Sequence, residues 1–395
     1  MAMTSSPESQ TPSPTTAGPY PSVSLGQDVV SNFNLDATLG KDLAIHRLAS
    51  WGPIVVFDAF NNELARNLYL VDLTQPAVHI IARAAAGDVS WTPDISGHWV
   101  VWTEYQFDHP GQGSQGSSHW KILALDLDSG TTTVVATGVH NRLTAGSAAP
   151  ALARVDGDLV AYGVQDPRAG APLGWSIIVK SLVTGDTIRT IDTDLDLYDF
   201  DISDGNVVYS EGKTDPDLDF KYDTRLMIST PSDATPLVIA QDAFEVAAGH
   251  ARFAWDSDAA ADADRSPLPE QPVVMTATFQ VPSQIQTSVL THGPPPPPDW
   301  GSPLLGALFP STDGDYVGWQ DRQTDGTWSG EVRRVGIWSA SRGVAYELDG
   351  ANDPVEVHLG GGWLTWNTDL NADQSDESNS LHGVELTTLD GLLGS

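Results

Sequence analysis

The chain has 395 residues, with 52 Asp plus Glu against 19 Lys plus Arg and a formal net charge of −33. So negative a surface repels phosphate backbones, which excludes nucleic acid as an expected partner. Cysteine is absent, ruling out disulfides, thiolate catalysis and Cys-ligated metals. No apolar run reaches the roughly 18 residues that a membrane span needs.

Residues 1–24 are rich in Ser, Thr and Pro with almost nothing apolar to bury, so a disordered tail or tether is expected there. No charged segment followed by an apolar one marks a secretion signal at the start. From residue 25 onward one pattern recurs: a turn Gly, several β-favouring residues and a closing aromatic. It reads WGPIVVF (51–57), SGHWVVW (96–102), DGDLVAY (156–162), DGNVVY (204–209), AGHARFAW (248–255), DGDYVGW (313–319) and GGGWLTW (360–366). The closing aromatics Phe57, Trp102, Tyr162, Tyr209, Trp255, Trp319 and Trp366 are 45 to 64 residues apart. A hairpin-like pair of alternating segments follows each, and one further strand precedes each turn.

Four strands per unit in seven units predicts an all-β fold: a seven-bladed β-propeller of four-stranded antiparallel blades, forming one domain over 25–395. The last unit has no room for a fourth strand. Residues 22–34 precede the first full blade and are expected to supply it, closing the ring.

The stretch VSWTPDISGHWVVWTEY followed by WKILALDLDSGTTTVV (89–105 and 120–135) resembles the TolB-type propeller family, over about residues 40–390. It is also similar to the surface-exposed propeller repeats of bacteria and archaea. The resemblance implies the fold rather than TolB's own role, because only a short polar tail stands where TolB carries an α/β domain. A Gly-x-Ser-x-Gly elbow is also missing, so a propeller-containing serine peptidase is not expected.

Three groups of residues are candidates for function. One parity of the innermost strands is polar in six of the blades. It brings Arg47, Asp94, Arg154, Asp199, Asp201, Glu245, Glu356 and His358 toward the axial channel, where they are expected to bind a polar ligand. Second, the blade-seven stretch DLNADQSDESNS offers Asp369, Asn371, Asp373 and Asp376 as oxygen ligands at alternating positions, a pattern suited to calcium. Its sixth position is Gln374 and its twelfth Ser380, so it is not an EF-hand loop. Third, Trp300 follows a polyproline arm that would hold it off the surface as a contact for a partner. Most other tryptophans are expected to fill the wedges between blades.

Acidic residues cluster in the loops between second and third strands, at Asp215, Asp217, Asp219, Asp256, Asp258, Asp262, Asp264 and the blade-seven stretch. The expected function is therefore an exported, periplasmic or cell-surface binding or scaffold propeller, recognising a protein partner or a glycan through an acidic loop-rich face. Two alternatives stay open. One is a polysaccharide lyase or glycoside hydrolase with Asp199, Asp201, Glu245 and His358 at the mouth of the channel; the other is a structural module of a surface assembly.

Overall fold

A computed structural model describes residues 21–26, 28–39, 44–60, 66–75, 77–83, 88–107, 117–141, 152–166, 174–193, 195–214, 222–233, 235–257, 273–279, 288–289, 307–324, 331–352, 354–368 and 380–394. The alternating segments pair into seven sheets, one per repeat. The innermost strands, in chain order, are Ala44–Trp51, Asp88–Ser96, Ala153–Asp156, Asp196–Ser203, Ala243–Gly249, Ala307–Asp313 and Pro354–Gly360. Each turns back through a tight hairpin into the second strand, and successive strands run antiparallel outward from the axis. The hairpins need a left-handed residue, which explains the recurring glycine: Gly52, Gly97, Gly157 and Gly314 all have φ between 51° and 61°. In blade 5 a non-glycine, Ala251, takes this role at φ 67°.

A four-stranded sheet buries neither of its faces alone, so the core lies between blades. Each seam holds its own apolar cluster. Between blades 1 and 2, for example, Val56 and Leu68 meet Ile95, Val100 and Trp102; between blades 4 and 5, Val208 and Leu226 meet Phe253 and Trp255. The closing aromatics fill these wedges: Trp102, Trp255, Trp319 and Trp366 are at most 1% exposed. Truncating one to Ala removes about 3–5 kcal/mol.

Ring closure follows the predicted route and adds to it. Ser31–Asn34 pairs antiparallel with Ser380–Glu385 as the fourth strand of blade 7, with Phe33 opposite Leu381. Phe33 and Leu35 enter the cluster shared by blades 7 and 1. Composition placed Ser22–Ser24 in the tail, but these residues form a strand parallel to Val344–Asn352, giving blade 6 a fifth strand. An open sheet edge supplies the hydrogen bonds that the segment's own side chains do not. The chain then ends in a helix, Leu386–Leu393, whose Leu386 and Leu389 pack against blades 6 and 7.

Candidate functional site: the axial cavity

Six of the seven inner strands carry a register shift at the same depth, between Ile45 and Arg47, Trp91 and Asp94, Leu197 and Asp199, Ala243 and Val246, Leu308 and Ser311, and Pro354 and Glu356. A bulge bends its strand and re-aims the side chain beside it. Polar residues just after the closing aromatics support the displaced backbone: Asp256 Oδ1 accepts from Glu245 N at 2.7 Å, and Asn367 Oδ1 from Glu356 N at 2.9 Å. Asp256, expected in an exposed acidic loop, is thus a buried strand residue. Arg47, Asp94, Asp199 and Glu356 stand directly after the shifts.

All eight channel residues anticipated from the alternation, from Arg47 to His358, line one cavity of about 600 Å³. Its wall runs from Arg47 and Tyr198 within their inner strands, and Leu152 just ahead of another, to Gly97, Gly157, His250 and Gly360 at the hairpin turns. The cavity therefore opens at the end of the sheets that carries the hairpins between first and second strands.

Most of the carboxylates here hold neighbouring blades together. Asp94 Oδ2 accepts from Val155 N of the next blade at 2.7 Å, and its Oδ1 from Ile95 N at 2.9 Å. Asp201 repeats this with Ala248 N at 2.7 Å and Ile202 N at 2.8 Å. Asp199 Oδ2 takes Val246 N at 3.0 Å, and Glu356 Oε2 takes Leu48 N at 2.8 Å across the closing seam. Asp156 accepts from Asp204 N at 2.6 Å, Ser311 from Leu359 N at 2.8 Å and Asp313 from Gly362 N at 2.8 Å. An inner strand is a sheet edge, and these side chains satisfy the N–H groups that would otherwise face the channel. A hydrogen bond to a charged group contributes about 1.5–3 kcal/mol, so the polar parity is structural as well as available for recognition.

The remaining charges are arranged around Arg154. It reaches Asp199 at 3.4 Å, while Arg47 reaches Glu356 at 3.2 Å. Burial pushes the Asp94 carboxyl up to about 6 and that of Asp201 up to about 8, with Arg154 and the backbone donors offsetting only part of the shift. Asp199 and Glu356 are raised for the same reason, desolvation. Burial would lower Arg154, but Asp199, Asp94, Asp201 and Glu356 outweigh it and hold the guanidinium charged. Burial, reinforced by Arg154, depresses His358 to about 4, so its imidazole is neutral at pH 7. Its Nδ1 is buried without a hydrogen-bond partner among the described residues.

The sequence reading missed Trp51, which lines the same cavity and is 37% exposed. A signal was present. Six residues before the closing aromatic, other blades carry Ser96, Asp156, Ser203, Asp313 or Gly360, all small or polar, and blade 1 alone among these carries an indole.

Trp300 and the calcium candidates Asp369, Asn371, Asp373 and Asp376 lie outside the described residues. Asp215, Asp217, Asp219, Asp258, Asp262 and Asp264 do as well. Elsewhere, His98, Asp126 and Asp128 bring one ligand atom each within 4.8 Å of one another. Asp126 is already engaged by its own turn, accepting from Asp128 N at 2.9 Å and Ser129 Oγ at 2.7 Å.

No protein-family model and no curated protein matches the chain. Solved structures do. The β-propeller domain of the trilobed protease from Pyrococcus furiosus superposes with a TM-score of 0.55 at 9% identity, over 87% of this chain and 93% of that one. An acylaminoacyl peptidase gives 0.58 at 9% identity over 89% of this chain, which spans only 53% of the peptidase. Oligogalacturonate lyase in complex with manganese gives 0.52 at 10% identity, over 90% and 96% of the two chains. At these identities the likeness establishes the seven-bladed fold, which hosts unrelated activities.

Proposed function

We propose that the protein is a TolB-type binding propeller, exported or displayed at the cell surface, which recognises a glycan or a protein partner. The axial cavity is its recognition site. The observation that carries this reading is the convergence of polar groups from six blades on one cavity, most of whose carboxylates already accept backbone N–H groups. Such groups are preorganised to orient a ligand. They are poorly placed to act as general acid or base, which requires an oxygen free to meet the reacting atom. Location outside the cytoplasm is supported by the Ser/Thr/Pro-rich segment 1–24 and the charge of −33. A calcium ion on Asp369, Asn371, Asp373 and Asp376 belongs to the same reading, on the alternation of oxygen ligands. Millimolar calcium added to chelator-treated protein then raises its melting temperature; an unchanged value removes that site.

Retention and turnover measured together test the proposal. Polysaccharides and peptides are passed over immobilised protein, and the eluate is assayed for new reducing ends and unsaturated products. Retention that weakens in Arg154→Gln, without product, is the expected result. Multiple-turnover product formation that disappears in Asp201→Asn would establish the enzyme instead.

A further inference from the structure

The tryptophans that close second strands are buried, but Trp51 ends the inner strand of blade 1 at the cavity mouth with 37% of its surface exposed. Its position is fixed from behind by glycine. A Cβ on Gly361 would lie 3.1 Å from both Cδ1 and Nε1 of Trp51, and one on Gly360 would lie 3.5 Å from its Cε3. Gly52 N donates to Gly360 O at 3.0 Å, tying the two hairpins together. The indole therefore rests on the backbone of blade 7, across the closing seam, and the glycines leave the room it occupies.

We propose that Trp51 is a stacking platform for one ring of a neutral saccharide entering the axial cavity, an inference that rests on the cavity being a binding site. A pyranose has an apolar C–H face and a rim of hydroxyls. The cavity mouth offers the complement: one exposed aromatic surface, with Ser96, Asp156, Ser203 and Asp313 around the same opening. A large apolar peptide side chain would need further apolar walls, and at this depth the other blades supply polar or small residues. Charge selects among saccharides. Eight carboxyl groups line the cavity, and even with Asp201 holding a proton at pH 7 the other seven outnumber Arg47 and Arg154, each of which already faces an acid, so uronates and sulfated sugars are repelled.

The test is calorimetric titration with short neutral oligosaccharides of the cello-, malto-, xylo- and laminari- series, with oligogalacturonate as the anionic probe. Wild type, Trp51→Ala, Trp51→Phe and His358→Gln are compared, each checked for an unchanged melting temperature. A neutral series binds wild type, Trp51→Ala weakens it about tenfold, and Trp51→Phe retains most of the affinity. Binding that His358→Gln impairs and Trp51→Ala does not would overturn the platform and leave the cavity as the site. Indifference to both variants would overturn both readings. A preference for oligogalacturonate, or no binding by any neutral series at millimolar concentration, would overturn the saccharide assignment.

Discussion

The seams between blades and the wall of the axial cavity are built from alternate residues of the same inner strands, yet they are held by opposite chemistry. In the seams, apolar side chains such as Leu48, Ala153, Phe200 and Val357 are buried against the preceding blade. On the cavity side, Asp94, Asp199, Asp201 and Glu356 reach sideways to backbone N–H groups of the following blade. Both faces of the strand thus bind neighbouring blades. Polar residues in a channel are therefore not by themselves evidence of a reaction, because the edge of each inner strand needs acceptors whatever the protein does.

The largest expected effect falls on the seam that the N-terminal segment closes. Deleting residues 1–35 exposes the sites of Leu25, Phe33 and Leu35, each contributing about 1.5–3 kcal/mol, a sum comparable to a whole domain's stability. Thermal melting should then show a collapsed or aggregated protein, whereas deleting 1–20 leaves the transition in place. Next comes the wedge. Trp255→Ala costs about 3–5 kcal/mol by denaturant titration, and a loss below 1 kcal/mol would mean that the seam repacks.

The cavity wall is expected to respond less to mutation and more to pH. Asp201, raised to about 8, binds a proton in the folded state that the unfolded state releases near 4. Its stabilisation is full below the unfolded value and is lost as pH rises through 8. His358 and His382, both depressed to about 4, act in the other direction and are exhausted above about 6.5. Between pH 6.5 and 8 the wild type should lose stability, and Asp201→Asn should flatten that slope. A slope unchanged by the substitution would assign the titration elsewhere. The smallest effect is a gain: Ala251→Gly relieves a left-handed alanine at φ 67° and should add about 1 kcal/mol.

Much of the fold was legible because the closing aromatics and turn glycines repeat at a fixed offset, and because blade 7 visibly lacked a strand that residues 22–34 were placed to supply. The polar parity was legible too, since a period of two is all it requires. What those side chains bond to was not. The acceptor in one blade meets an N–H far along the chain in another, as Asp94 meets Val155 61 residues on and Asp201 meets Ala248 47 residues on, and no local pattern records that pairing. The bulges were equally hidden, because they insert a residue without changing composition. Trp51 was read as the opening of a turn, although its contrast with Ser96 and Ser203 at the equivalent positions distinguished it. The C-terminal helix, spelled LTTLDGLL, follows six hairpins, and the stretch LHGVELTTLDG that overlaps it reads as a truncated seventh.

Backbone amide exchange tests the central claim most directly, because the latching carboxylates protect particular N–H groups on strands whose free edge faces the cavity. The amides of Leu48, Val155, Val246 and Ala248 should exchange as slowly as those paired within the sheets, and Asp201→Ala should release Ala248 while leaving Leu48 protected. Fast exchange at all four in the wild type would contradict the account, leaving the carboxylates free for another task.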